Sequence, residues 1–218
     1  DRRTGERVWA AGDSGASYSS PQYAPFVDHP QILTFNAEGL FGHDVFSGRV
    51  LWHFDWVSNP AEKNNVCQPV VLPGGHGRPC RVFISSGYGK GCVLSDIVQQ
   101  NGTFNVHVLW RNKNLKAKFS SLVRHGTHIY GLDEKILVCV DLATGRRCWK
   151  GGRYGHGQLV LADNTIIIQA ESGEVVLVEA TSQEHHELAR FTALDHRTWN
   201  HPTVAGDILL VRNDREAT

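Results

Sequence analysis

The chain has 218 residues, with 22 Lys plus Arg against 22 Asp plus Glu, so it carries neither the basic footprint of a nucleic-acid binder nor an acidic tail. Apolar residues at 41% and charged residues at 20% suit a packed globular core and exclude a disordered chain. No stretch approaches the roughly 18 apolar residues of a transmembrane segment.

From the N terminus, Asp1, Thr4, Gly5 and Trp9 open a nine-residue phrase. It returns as Asp44, Ser47, Gly48 and Trp52, and again as Asp141, Thr144, Gly145 and Trp149. Each copy predicts a β-hairpin. The Asp carboxylate bonds backbone N–H groups a little further on, and the Gly supplies the positive φ that closes a short loop. The Trp falls on the returning strand, where a side chain so large is repeated only if each copy fills the same kind of pocket. Trp9 to Trp52 is 43 residues, Trp110 to Trp149 is 39, and Trp149 to Phe191, placed in the Trp slot, is 42. The interval from Trp52 to Trp110 is 58 because of extra residues around 73–77 and 99–103. Units of about 40–45 residues with four short strands are propeller blades. Within one unit the strands read 158–162, 165–169, 174–179 and 186–191, with turns at Asp163-Asn164 and Ser172-Gly173. No stretch has a helical period, so the chain is predicted to be all-β.

The phrase Asp-x-x-Thr/Ser-Gly-Arg/Glu-x-x-Trp resembles the tryptophan-docking repeat of the quinoprotein-like (PQQ-like) β-propellers. That family includes alcohol dehydrogenases carrying pyrroloquinoline quinone and a non-catalytic lipoprotein of the outer-membrane barrel assembly machinery. Residues Ile84–Gly89 and Phe119–Ser121 resemble its bacterial cell-envelope branch. The resemblance implies an eight-bladed ring of four-stranded antiparallel blades, of which about half is expected here. Residues 1–9 are then the outer strand of a preceding blade, and 10–52, 53–110, 111–149 and 150–191 are whole blades. Residues 192–218 form a partial blade. A five-bladed ring, in which residues 1–9 complete that last blade, is the alternative. With no Met, and opening within a repeat phrase, the chain is expected to be a fragment cut at both ends. The resemblance also implies a periplasmic or otherwise extracytoplasmic location.

Five cysteines, Cys67, Cys80, Cys92, Cys139 and Cys148, show no C-x-x-C spacing, and no metal site is expected. A tight hairpin at Leu142–Gly145 sets Cys139 directly opposite Cys148, close enough for a disulfide; two small buried hydrophobes are the other reading. Glu184-His185-His186-Glu187 falls on an outer turn and reads as solvated.

In a propeller the first strand of each blade lines the central channel. The segments leading into those strands are 18–21, 66–69, 119–121, 154–157 and 199–202, and they place Ser20, Gln68, Ser120, His156 and His201 around the channel mouth. Convergent polar groups in a concavity make the default binding site; capping of inner-strand ends is the other role open to them. Trp9, Trp52, Trp110, Trp149 and Phe191 are the expected docking aromatics. No catalytic group is identified and no cofactor is expected. The leading reading is therefore a non-catalytic module that binds protein or polymer partners through its faces. The alternative is a dehydrogenase using pyrroloquinoline quinone with calcium. Resemblance to those enzymes implies adjacent cysteines and carboxylate ligands, and neither is present among these segments.

Overall fold

The computed structural model describes residues 1–26, 29–61, 63–75 and 79–218. His76 and Gly77, within the expected insertion at 73–77, lie outside them. The first sheet contains β1 (Gln22–Ala24), β2 (Gln31–Phe35), β3 (Gly39–Asp44) and β4 (Val50–Asp55), and the second β5 (Val70–Leu72), β6 (Cys80–Ser86), β7 (Gly91–Gln100) and β8 (Thr103–Asn112). The third has β9 (Val123–His125), β10 (His128–Asp133), β11 (Ile136–Asp141) and β12 (Arg147–Arg153). The fourth has β13 (Gln158–Ala162), β14 (Thr165–Gln169), β15 (Glu174–Glu179) and β16 (Glu187–Thr192), and β17 (Thr203–Ala205) pairs with β18 (Ile208–Leu210). Strand order follows chain order in every sheet, and the sheets are antiparallel meanders. No helix occurs among the described residues, so none is long and apolar enough to cross a membrane.

The chain divides into two compact units, Asp1–Ile84 with Leu94–Leu109 and Ser85–Val93 with Trp110–Thr218. In the first, the alternation of Gln31–Phe35 buries Gln31, Leu33 and Phe35 on one face of β2. Trp56 is fully buried, and Asn65 Nδ2 donates to its carbonyl at 2.9 Å. In the second unit one apolar cluster joins Tyr130, Leu132, Leu137, Cys139 and Trp149 of the third sheet to Leu159, Ile166 and Ile168 of the fourth, and another gathers Ile167, Val175, Leu194 and Val211. Inner strands β9 and β13 of these two sheets lie side by side.

The three copies of the phrase fold alike. Asp1 Oδ1 accepts from the N–H of Arg3 and Thr4 at 2.8 and 3.0 Å. Asp44 Oδ1 accepts from Phe46 and Ser47 N–H at 3.2 and 2.7 Å, and Asp141 Oδ1 from Thr144 N–H at 2.8 Å. Gly5, Gly48 and Gly145 all take φ near +70°, at 75°, 74° and 70°. Hydrogen bonds from the hydroxyls of Ser47 and Thr144 hold the Asp44 and Asp141 carboxyls below the usual range.

The glycines do a second job. Trp9 Nε1 donates to Val45 O at 3.0 Å, with its ring against Gly48. Trp110 Nε1 donates to Leu142 O at 2.9 Å, with its ring against Gly145. Trp149 Nε1 reaches Thr181 O at 2.8 Å, and its ring meets His185 edge-on. Each of these indoles thus rests on the outer hairpin of a later sheet. Trp52 differs: its Nε1 donates to Gln31 Oε1 at 2.6 Å within its own sheet.

Two expectations about register are corrected by one feature. The pairings skip Leu51, Cys148 and Leu188, which are extra residues in β-bulges at the same place in three sheets. Cys139 therefore pairs with Trp149, and Cys148 is the bulged residue beside it rather than a direct partner. Both thiols are free. In this shared bulged register Ala189, not Phe191, stands at the position held by Trp52 and Trp149. Phe191 pairs with Val175 and is 48% exposed, so it fills no docking pocket.

Candidate functional site

Three lead-in segments of the second unit come together at the starts of β9, β13 and β17. Gln158, the first residue of β13 and buried, ties two of them. Its Oε1 accepts from Ser121 N–H at 3.1 Å, and its Nε2 donates to Phe119 O. That clamp fixes Ser120, which is buried. The Phe119 ring meets His156 edge-on at 5.6 Å, and Ser121 Oγ lies 3.3 Å from His201 Nε2. Ser120, His156 and His201 thus belong to one small surface of this unit.

Ser20 and Gln68 lie in the other unit. There the two lead-in segments are bound through Asn65, whose carbonyl accepts from Ser17 Oγ at 2.6 Å and from Ser19 N–H at 3.2 Å. Ser20 is exposed and Gln68 half-buried.

Glu171, which no repeat position marks in the sequence, anchors the surface. Its Oε2 accepts from His156 N–H at 2.9 Å and its Oε1 from the Trp199 indole at 2.9 Å. Gly155, at φ +65°, leaves room for this carboxylate: a Cβ there would lie 2.4 Å from Oε2. Burial resists ionisation of Glu171, but the His156 amide and the Trp199 indole outweigh it and hold the carboxyl below its usual range. Burial pushes the His156 imidazole down, against the pull of Glu171, and burial alone does the same for His201. Both rings are neutral near pH 7 and offer one donor and one acceptor each. Trp199 and Phe119 remain 53% and 38% exposed at the rim, with the Arg197 guanidinium 4.4 Å from the centre of the Trp199 ring. Neutral imidazoles, hydroxyls and exposed aromatics can recognise a partner by hydrogen bonding and stacking.

The same donor set does not fit pyrroloquinoline quinone with calcium. Cys67, Cys80, Cys92 and Cys139 are buried free thiols, no two of them adjacent in sequence, and burial pushes the Cys67 and Cys92 thiols up to about 12. Both oxygens of Glu171 are already engaged, whereas Ca²⁺ takes about 6–8 oxygen ligands.

Among solved structures, BamB from Moraxella catarrhalis superposes with a TM-score of 0.71 at 18% identity, covering 98% of this chain and 63% of that one. Sqt1 of Saccharomyces cerevisiae gives 0.63 at 12% identity, covering 90% and 57%. A chain of the mitotic checkpoint complex gives 0.59 at 12%, covering 87% and 57%. These likenesses establish a propeller-like fold of four-stranded sheets, and the chain spans less than two thirds of each of those structures. No curated protein matches the sequence. The family described as outer membrane protein assembly factor BamB matches residues 1–151, the stretch holding all three copies of the hairpin phrase, and the chain belongs to that family.

Proposed function

We propose that the chain is part of an eight-bladed, non-catalytic propeller of the bacterial cell envelope, outside the cytoplasm, that binds protein partners. The surface built by Ser120, Ser121, His156 and His201 and rimmed by Phe119 and Trp199 is its docking face. The observation that carries this reading is the engagement of the polar groups: Glu171 holds the His156 backbone and Trp199, and Gln158 holds the 119–121 segment. Such a network presents a shaped, preorganised surface. Membership of the BamB family supports the envelope setting.

A photo-crosslinking side chain in place of Lys118, which lies beside the Phe119 ring, in the complete protein expressed in its host, tests this. The expected result is a discrete adduct with an envelope protein, lost when His156 and His201 are both replaced by Ala. The reading is overturned if the complete protein takes up quinone with Ca²⁺ and reduces an artificial acceptor when given an alcohol.

A further inference from the structure

The third sheet carries a cluster of sulfur and nitrogen groups apart from that surface. His128 on β10 pairs with Asp141 on β11, and Tyr130 pairs with Cys139, so all four side chains leave the same face of the sheet. The bulge on β12 then sets Cys148, unpaired, beside Trp149, the partner of Cys139. As a result, one ligand atom from each of His128, Cys139 and Cys148 lies within 4.8 Å of the other two.

We propose that His128, Cys139 and Cys148 bind one Zn²⁺ ion through an imidazole nitrogen and two thiolates, with water at the fourth position. Around tetrahedral zinc, with bonds of about 2.0–2.3 Å, neighbouring ligand atoms sit roughly 3.5–3.8 Å apart. The three ligand atoms would therefore draw together by about 1 Å at most. Two of the three residues can make that movement, since Cys148 is exposed and His128 half-buried, while Cys139 is fixed in the apolar core.

The ligand chemistry favours a thiophilic ion over Mg²⁺ or Ca²⁺. Two thiolates and a neutral imidazole cancel the charge of Zn²⁺, so the ion with its three ligands carries no net charge. Each thiol gives its proton to water as its S–Zn bond forms. The surroundings complete the case. Thr127 Oγ1 lies 3.3 Å from His128 Nδ1, which leaves Nε2 as the lone-pair nitrogen when Nδ1 carries the proton. Asp141 Oδ2, 3.8 Å from Nε2, adds a third negative charge just outside the ligand set and facing the same point. A cavity of about 370 Å³ lined by His128, Tyr130 and Glu179, together with the exposed Cys148, gives an ion a way in.

Because Cys139 is in the core, the informative variants are Cys148→Ser and His128→Gln, with the circular dichroism spectrum checked for each. The complete protein, fully reduced, is titrated with Co²⁺ and then with Zn²⁺. Expected are one equivalent of Co²⁺, a thiolate-to-cobalt charge-transfer band, and bleaching of that band by Zn²⁺. Cys148→Ser should weaken the band, and both variants should lose at least about tenfold in Zn²⁺ affinity, the least that losing even a group supporting a metal ligand costs. The proposal is overturned if no charge-transfer band forms. It is equally overturned if Cys148→Ser binds Zn²⁺ as tightly as the parent, which would place the ion on surface histidines.

Discussion

At the scale of single residues, Gly145 decides how Trp110 docks. A Cβ on Gly145 would lie 2.6 Å from ring atoms of Trp110 and from Asn112 Nδ2, at a φ of +70°. Gly5 shares that backbone conformation, at φ +75°, but nothing lies within 4 Å of its would-be Cβ. The left-handed backbone alone costs a residue with a side chain roughly 1–2 kcal/mol, and overpacking typically adds about 1–3 kcal/mol. Gly145→Ala should therefore destabilise by about 3 kcal/mol and Gly5→Ala by about 1 kcal/mol. Urea midpoints compared at constant m-value measure both, and equal losses would mean that the indole face does not depend on the glycine. The Asp and Gly of the loop were legible in the sequence because their bonds close within five residues. Where each indole lands was not. Ala189 occupies the Trp slot of the fourth sheet, one residue past the bulge as Trp52 and Trp149 are in theirs, and the turn before it lacks the phrase that would have fixed the count. His185, expected to be solvated, instead sits 2.7 Å from the Tyr154 hydroxyl and packs on Trp149.

At the scale of elements, Asp133 holds the end of β10 in place. It is 2% exposed, and its Oδ1 lies 2.5 Å from Lys116 Nζ and accepts from Lys116 N–H at 3.0 Å, while Lys150 of β12 takes Oδ2. One carboxylate thus joins β10 to β12 and to the lead-in of the third sheet. Burial works to raise its pKa, but the bonds from Lys116 and Lys150 together outweigh burial and bring it below the ordinary value. A depressed folded pKa stabilises the fold above the unfolded value of about 3.9. That stability is lost as pH falls from there through the folded pKa. Asp133→Asn should cost about 3 kcal/mol at pH 7, the low end for a broken buried pair, because both lysines keep some contact with water. The variant should also show a shallower loss of stability below pH about 4 than the parent. Thermal melts across that range settle the point, and parallel curves for the two proteins would refute it. The hairpin around Asp133 was readable from its alternating apolar residues. The lysines were not, since Lys116 arrives from outside the sheet and Lys150 from beyond the bulge.

At the scale of the whole molecule, repetition made the all-β architecture readable from three copies of one phrase, and family membership rests on the same stretch. The second sheet fits the pattern least: β7 and β8 run ten residues each, their turn lacks the phrase, and Trp52 turns to Gln31 of its own sheet. The proposed docking surface was half legible. His156 and His201 follow from equal places in successive repeats, whereas Glu171 reaches them only through the β14–β15 turn. Electrostatics supplies a further test of that surface. The chain balances 22 basic against 22 acidic residues. The surface itself mixes Lys118 and Arg197 with Glu171 beside neutral imidazoles. Charges farther away than the Debye length of about 8 Å are largely screened at physiological ionic strength. Partner binding carried by hydrogen bonds and stacked aromatics should therefore change less than about threefold between low and high salt, unlike steered association between opposite charges. Trp199→Ala should weaken it by about 2 kcal/mol or more, as for an aromatic anchor that becomes buried on binding, read as lost crosslinking from position 118. Crosslinking yield from the complete protein at two salt concentrations measures the first effect, and a steep fall with salt would move recognition to a charged patch elsewhere.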